Sequence, residues 1–404
     1  MKSTSEILER INQNSKEHKD GVYTRLYRYL LRDDVYINTY KDLYKNKVIT
    51  KMEIEKINNM IIKLKNVEYI PNPSKVVCIK KNDEIRNVYI PSLSDELLQN
   101  VIAQFLEAIY EPLINLNTNN FYVLNRIKKE FGGVRYFFRG DIGKIDQPKL
   151  ITILQKKIKD SKFINIIRSL LKSEYFDNYY FLNRKYKLNK LFYILESIYL
   201  SEFDESIESV KKEFYQNCAL KNRDGIIRIK KFCYVRCKNM FLIGIYASES
   251  ECNVTKLKLE ELFIKKHRGN IKEHFMQLSM AAEATDFLDY HIRVNNKKEI
   301  ELLVPFNTKI KKWLFDKKIV IQKKENGQLF PVDRANIGYL SDEKIISMYK
   351  SEVSGILKYY RLAVNRNILN YYCYLMKYSC LKTIARKHKT SLKKAIEKYR
   401  GVFK

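Results

Sequence analysis

The chain has 404 residues, 45% hydrophobic and 30% charged, a balance that builds folded domains and excludes a disordered polyelectrolyte. Its 76 Lys and Arg against 46 Asp and Glu leave a net charge of +30, an excess that calls for a polyanionic partner. No apolar run approaches the roughly 18 residues of a membrane span, and the N-terminus has neither a signal peptide's apolar core nor a transit peptide's lack of acids.

Residues 1–66 read as helical. Tyr23 to Lys47 carries Leu26, Tyr29, Leu30, Val35, Ile37, Tyr40 and Leu43 at near-helical spacing, with a break around Asp33-Asp34. On a continuous helix Arg25, Arg28 and Arg32 share a face, either a solvated one or a phosphate-facing stripe. Lys75 to Ile79 and Asn87 to Ile90 predict a hairpin turning at Asn82-Asp83, with Lys80, Lys81 and Arg86 at its tip. Residues 94–111 predict a helix capped by Ser94, with Leu98, Ile102, Phe105, Leu106 and Ile109 as its apolar face and Pro112 ending it.

A strand over 134–146 is followed by one helix, Pro148 to Lys172, and another, Tyr193 to Tyr215. Strands are expected near Ile226 to Ile229 and around Tyr234 to Tyr246, then a helix from about Thr255 to Lys266. The alternation predicts an α+β fold. After Pro331 the pattern turns nearly all helical. Ser341 caps one helix, a second runs from Arg366 to His388, and a short basic third from Ser391 to Arg400. Of seven cysteines none forms a C-x-x-C pair, so free thiols are the reading and a zinc site the lesser one. Thirty Tyr and 20 Phe against 12 Gly and 7 Pro fit AT-rich coding DNA, as in a compact organelle genome.

Tyr234 to Ile245, YVRCKNMFLIGI, resembles the Y-x-D-D hairpin of reverse transcriptases in its group II intron maturase form. Tyr234, Val235, Arg236 and Phe241 to Ile245 fit that form, while Cys237, Lys238, Asn239 and Met240 replace the Tyr-Ala-Asp-Asp core. Ile90 to Leu93 with Asp95, and Leu106 to Pro112, match the family's fingers motif. Gly140-Asp141-Ile142 matches the strand of the first catalytic aspartate, Ile198 to Asp204 the palm helix, and Phe287-Leu288-Asp289-Tyr290 an F-L-G-Y motif with Asp for Gly. The tail, from YLSDEKIISMYK through TIARKHKTSLKK, follows the domain that binds intron RNA.

The resemblance implies right-hand fingers and palm followed by an all-helical thumb or maturase domain. It divides the chain into an N-terminal RNA-binding extension (1–66), fingers-like region (67–133), degenerate palm (134–304) and thumb with maturase domain (305–404). It also implies loss of the catalytic machinery. The loop after Asp141 is short, Lys187 to Lys190 stands in place of a P-Q-G motif, and Asn239 and Met240 replace two aspartates. A hard divalent ion needs oxygen ligands, which Met240 lacks. Vestigial Asp141, Asn239 and Met240 are thus expected to hold no metal, and no cofactor or small-molecule substrate is expected. The chain's ending soon after the basic helix carries the expectation of no endonuclease domain.

The function expected is that of a splicing cofactor, binding group II- or III-type intron RNA and stabilising its active fold. The members most alike in these respects are maturases of euglenoid plastid introns, so a plastid is expected ahead of a mitochondrion. Candidate RNA contacts are Arg25, Arg28, Lys80, Lys81, Arg86, Lys382, Arg386, Lys387, Lys389, Lys393 and Lys394, with Tyr359, Tyr360, Tyr371, Tyr372, Tyr374 and Tyr378 interspersed just before the tail cluster. Lys187, Lys190 and Lys238 make the old cleft a candidate basic groove. An active reverse transcriptase with an unusual site, and a basic RNA-binding protein with no intron partner, are the competing readings.

Overall fold

A computed structural model describes residues 3–45, 47–73, 75–81, 84–114, 119–143, 145–173, 190–216, 230–267, 276–323 and 327–399, with backbone alone at 79–81, 84–89, 263–267 and 276–277. The strand expected at 226–229, Lys187 and Arg400 lie outside these residues. Among them no helix is long and apolar enough to cross a membrane.

Helix α1 (Thr4–Glu17) starts from a capping box in which Ser3 and Glu6 satisfy each other's backbone N–H. The next segment is not one helix. A 3₁₀ turn, Tyr27–Leu31, precedes α2 (Asp33–Leu43), and Arg32 between them binds Asp34 through Nε at 2.8 Å and Nη2 at 2.7 Å. Arg25 lies before the turn in left-handed backbone, φ 57°, so the three arginines share no helical face. A second capping box, Thr50 with Glu53, opens α3 (Lys51–Lys65).

The hairpin forms as β1 (Lys75–Lys81) and β2 (Glu84–Ile90). Helix α4 (Leu93–Tyr110) is capped by Ser92 rather than Ser94. Ser92 has the extended backbone a cap needs and accepts from Asp95 N, and the Asp95 carboxylate is held in turn by Tyr69, Asn72 and Ser92. Its five predicted face residues are all fully buried.

After α5 (Asn120–Glu130) and β3 (Tyr136–Asp141), the helix expected over 148–172 is two: α6 (Gln147–Lys157) and α7 (Ser161–Leu171). The break has a tertiary cause. Tyr23 N donates to Lys157 O at 2.7 Å and Lys159 N to Tyr23 O at 2.9 Å, which takes backbone groups from the helix ladder. Asp160 then caps α7 and also accepts from Tyr27 N at 2.8 Å.

Helix α8 (Lys190–Gln216) leads to β4 (Lys231–Cys237), β5 (Met240–Tyr246), α9 (Glu249–His267) and β6 (Met276–Met280). The antiparallel sheet runs β4-β5-β3-β6. It is covered on both faces: Phe138, Phe241 and Ile243 join the core of α1–α4 and α6–α8, whereas Phe137, Val235 and Leu242 join a second core. Double burial explains the continuous apolar run of β5. Gly244 in that strand is required for packing, because a Cβ there would stand 2.6 Å from the Phe131 ring.

The second core also holds the sheet of β7 (Thr285–Phe287), β8 (Tyr290–Val294) and β9 (Ile300–Leu303). A π-helical turn, Phe306–Ile310, runs into α10 (Lys311–Asp316), followed by the hairpin of β10 (Val320–Gln322) and β11 (Leu329–Pro331). Helices α11 (Asp342–Tyr359), α12 (Ile368–Lys387) and α13 (Leu392–Tyr399) close the chain, Ser341 capping α11 as its sequence predicts. Tyrosines bolt this bundle to the β7–β8 turn: Tyr359 OH donates to Leu288 O at 2.8 Å, Tyr360 OH to Asp289 O at 3.0 Å and Tyr290 OH to Tyr359 O at 2.5 Å. Leu288 and Asp289 in that turn are left-handed, φ 47° and 59°.

Candidate nucleic-acid interface

The antiparallel register sets Asp141 of β3 opposite Met240 of β5. Lys238, φ 54°, and Asn239 form the two-residue turn between β4 and β5. That turn aims Asn239 at β3: its carbonyl accepts from Ile142 N at 2.8 Å and its Nδ2 donates to Asp141 Oδ1 at 2.6 Å. Gly143 N donates to the same oxygen at 2.8 Å.

A polymerase centre of the kind the resemblance implies needs several oxygen ligands around two magnesium ions. The residues present do not fit it. Asp141 has one oxygen already accepting two N–H groups, Asn239 presents its donor end to it, and Met240 is a thioether. Among the described residues no group of three or more His, Cys, Asp or Glu is placed to hold a metal.

Two carboxylates of α8 serve this region differently. Asp204 accepts from Arg236 Nε at 2.8 Å and Nη2 at 2.6 Å, and from Tyr234 OH at 2.5 Å. Burial alone would lower the Arg236 pKa, but the Asp204 pairing raises it, so the guanidinium stays charged. Glu196, 7% exposed, is the acid that sequence reasoning missed. Burial pushes its carboxyl up, opposed by Lys238 and Arg236 and reinforced by Asp141. Only its position two residues before the Ile198 to Asp204 motif signalled it, and that spacing does not say what it faces.

The tail cations divide into two sets. Lys382 Nζ donates to Pro331 O at 2.7 Å, Arg386 pairs with Asp333 at 2.6 Å, and Lys387 binds Leu340 O at 2.8 Å and Asp342 at 2.7 Å. Asp342 is a hub, also bonded to His388 at 2.8 Å and Tyr399 OH at 2.5 Å. Burial would raise its carboxyl, yet the Lys387, Tyr399 and His388 hydrogen bonds outweigh that and hold it well below the usual range. Lys389, Lys393 and Lys394 are exposed and form no ion pair among the described residues. The tyrosines divide as well. Tyr360 and Tyr372 are buried, Tyr359 is half-buried, and Tyr371, Tyr374 and Tyr378 form a row of ring contacts on α12 with Tyr374 exposed.

Elsewhere, Arg25 and Arg28 are exposed beside α1, and Lys238 is exposed at its turn. Lys190 pairs with Glu107 at 2.5 Å, so its ammonium is committed to α4. Lys80, Lys81 and Arg86 lie at the turn end of the β1–β2 ladder, opposite Ile85, Glu84 and Ile79. Cys233 and Cys237 are buried on the same side of β4, and Cys78, Cys252, Cys373 and Cys380 are free thiols too.

Comparison with known proteins gives this geometry its family. Residues 297–404 match the type II intron maturase family. The whole chain is 35% identical over 485 aligned positions to the group II intron-encoded protein LtrA of Lactococcus lactis subsp. cremoris, covering 99% of this chain and 81% of that protein. A protein in the cob intron of Schizosaccharomyces pombe is 32% identical over 51% of this chain and 29% of its own length. Maturase K of Marchantia polymorpha is 23% identical over 66% of this chain and 81% of its own. The chain belongs to the group II intron-encoded maturases. The LtrA alignment spans 485 positions for 404 residues, so at least 81 of them have no counterpart here.

Proposed function

We propose that this maturase acts as a splicing cofactor that binds group II- or III-type intron RNA and stabilises its active fold, with no polymerase activity of its own. The observation that carries the second half is the Asn239–Asp141 hydrogen bond opposite Met240. A protein donor sits where a polymerase needs a cation. The catalytic magnesium then belongs to the RNA, and the protein's task is to favour one RNA shape. A preference of about 3 kcal/mol changes the active-to-inactive ratio by more than a hundredfold.

Counterion release by exposed lysines and arginines supplies most of the affinity, and their fixed positions on the scaffold supply shape selection. Lys389, Lys393 and Lys394 lead in the tail because no carboxylate among the described residues pairs with them. Lys238 contributes a cation beside the buried Glu196 at the palm turn. Residues 67–133 serve as fingers, 134–304 as palm and 305–404 as thumb and maturase domain. The AT-rich composition fits a compact organelle genome, and the likeness of the degenerate palm and intact tail to maturases of euglenoid plastid introns favours a plastid over a mitochondrion.

The test has two arms. Purified protein should accelerate splicing of its intron-containing precursor RNA at limiting magnesium, and should add no nucleotide to a primed template. Incorporation by the wild-type chain overturns the non-catalytic reading. Tight binding to ribosomal RNA, with no effect on splicing, favours a general RNA-binding protein instead.

A further inference from the structure

Three arginines near the N-terminus converge on a cleft of about 590 Å³ between α1 and the 22–29 segment. Arg10, Arg25 and Arg28 all line it and all are exposed. Among the described residues none has a carboxylate partner, unlike Arg32, Arg126, Arg236, Arg293, Arg334 and Arg386. The cleft's single carboxylate, Glu17, accepts from Gln13 at 3.1 Å.

Two of the arginines are held in place, Arg28 by contacts and Arg25 by its backbone. The Arg28 guanidinium lies 4.7 Å from the Tyr29 ring centroid and donates to the Tyr29 hydroxyl at 2.7 Å. Tyr29 is itself stacked on Phe105 of the core, centroids 5.4 Å apart and planes at 11°. A fixed flat cation is thus anchored to the hydrophobic core while remaining in water. Arg25 occupies left-handed backbone, φ 57°, where glycine would be unstrained. The chain keeps an arginine there, and Asn14 adds an amide to the same wall.

We propose that this cleft takes one nucleotide of an unpaired RNA segment, its base stacked on the Arg28 guanidinium and its phosphates held by Arg10 and Arg25. The volume is in the range of roughly 300–1,000 Å³ of small-molecule pockets. Guanidinium planes stack on bases, and unstacked bases occur in loops and bulges rather than in duplexes. An RNA duplex, its bases paired and stacked inside, cannot insert one. The proposal rests on the intron-RNA reading and adds to it a site that selects single strands.

The experiment uses the full chain, a thiouridine-substituted precursor RNA for crosslinking, and a short single-stranded RNA and an RNA duplex as binding probes. Crosslinked peptides should map to residues 10–29. Arg28→Lys, which keeps the charge but removes the plane, should weaken the single-strand probe about tenfold, with duplex affinity unchanged. Arg25→Gly should raise the melting temperature while weakening the same probe. A merely structural Arg25 would give no such opposition. Crosslinks confined to other segments, or both variants within about twofold of wild type, overturn the pocket. If the precursor RNA still binds in that case, only the pocket fails; if the wild type does not bind it at all, the function proposed above fails with it.

Discussion

Asn239 meets Asp141 through a single amide nitrogen. In the family's form the position is an aspartate, and here an amide nitrogen donates to Asp141 Oδ1 at 2.6 Å. Asn239→Asp replaces that donor with a like charge at contact distance, losing a charge-assisted hydrogen bond of about 1.5–3 kcal/mol. One of the two carboxyls must then take up a proton more readily than in the unfolded chain. A group with a raised folded pKa contributes stability at low pH and loses it as pH rises. The variant should therefore melt several degrees lower than wild type at pH 7, with the gap closing as pH falls through the carboxylate range. A constant gap across pH, read by circular dichroism, would show that the two side chains do not meet.

Asp342 has the opposite sign. Its carboxyl is held below the ordinary value near 3.9 by Lys387, His388 and Tyr399. Its stabilisation is present in full above that unfolded value and disappears as pH falls toward the folded one. Asp342→Asn should lower the melting temperature at pH 6–7, with the gap to wild type narrowing as pH falls below the ordinary carboxylate value.

At the scale of elements, the β-sheet is determined by packing on two faces. Gly244 lies on β5 with the Phe131 ring and Val134 directly over it. Gly244→Ala should destabilise the chain by about 1–3 kcal/mol through overpacking, measurable as a lower denaturant midpoint at unchanged slope. Elements also explain what sequence patterns missed. One apolar periodicity spans 148–172, but the Tyr23 backbone bonds Lys157 and Lys159 and divides it at Ile158. A partner more than a hundred residues away cannot be read from local spacing. Ser92 and Ser94 are alike as candidate caps, and only the Asp95 network with Tyr69 and Asn72 selects Ser92.

At the scale of the whole molecule, a net charge of +30 makes affinity for RNA a matter of which cations remain free. Charge singled out Arg386, Lys387 and Lys389 in the tail alike, yet the first two bind carboxylates of the same domain, Asp333 and Asp342. Replacing Lys389, Lys393 and Lys394 with alanine should reduce the slope of log affinity against log salt by about two units, at roughly 0.7–0.9 per lost contact. Arg386→Ala should leave that slope nearly unchanged and cost stability instead, whereas Lys389→Ala alone should reduce it by roughly 0.7–0.9. Equal slopes for these two single variants, in filter binding over a salt series, would show that the ion pairs do not sort these cations.

The chain by itself determined its polyanionic partner, its α+β composition, the tail's three helices and the absence of the paired aspartates, since each is written in residue type or short-range periodicity. Tertiary structure alone decided which cations are spent within the protein, how Asn239 meets Asp141, and where Glu196 and the N-terminal arginines converge. Those outcomes depend on contacts between residues tens to hundreds of positions apart, and a local pattern holds no information about which distant surface will fold against it.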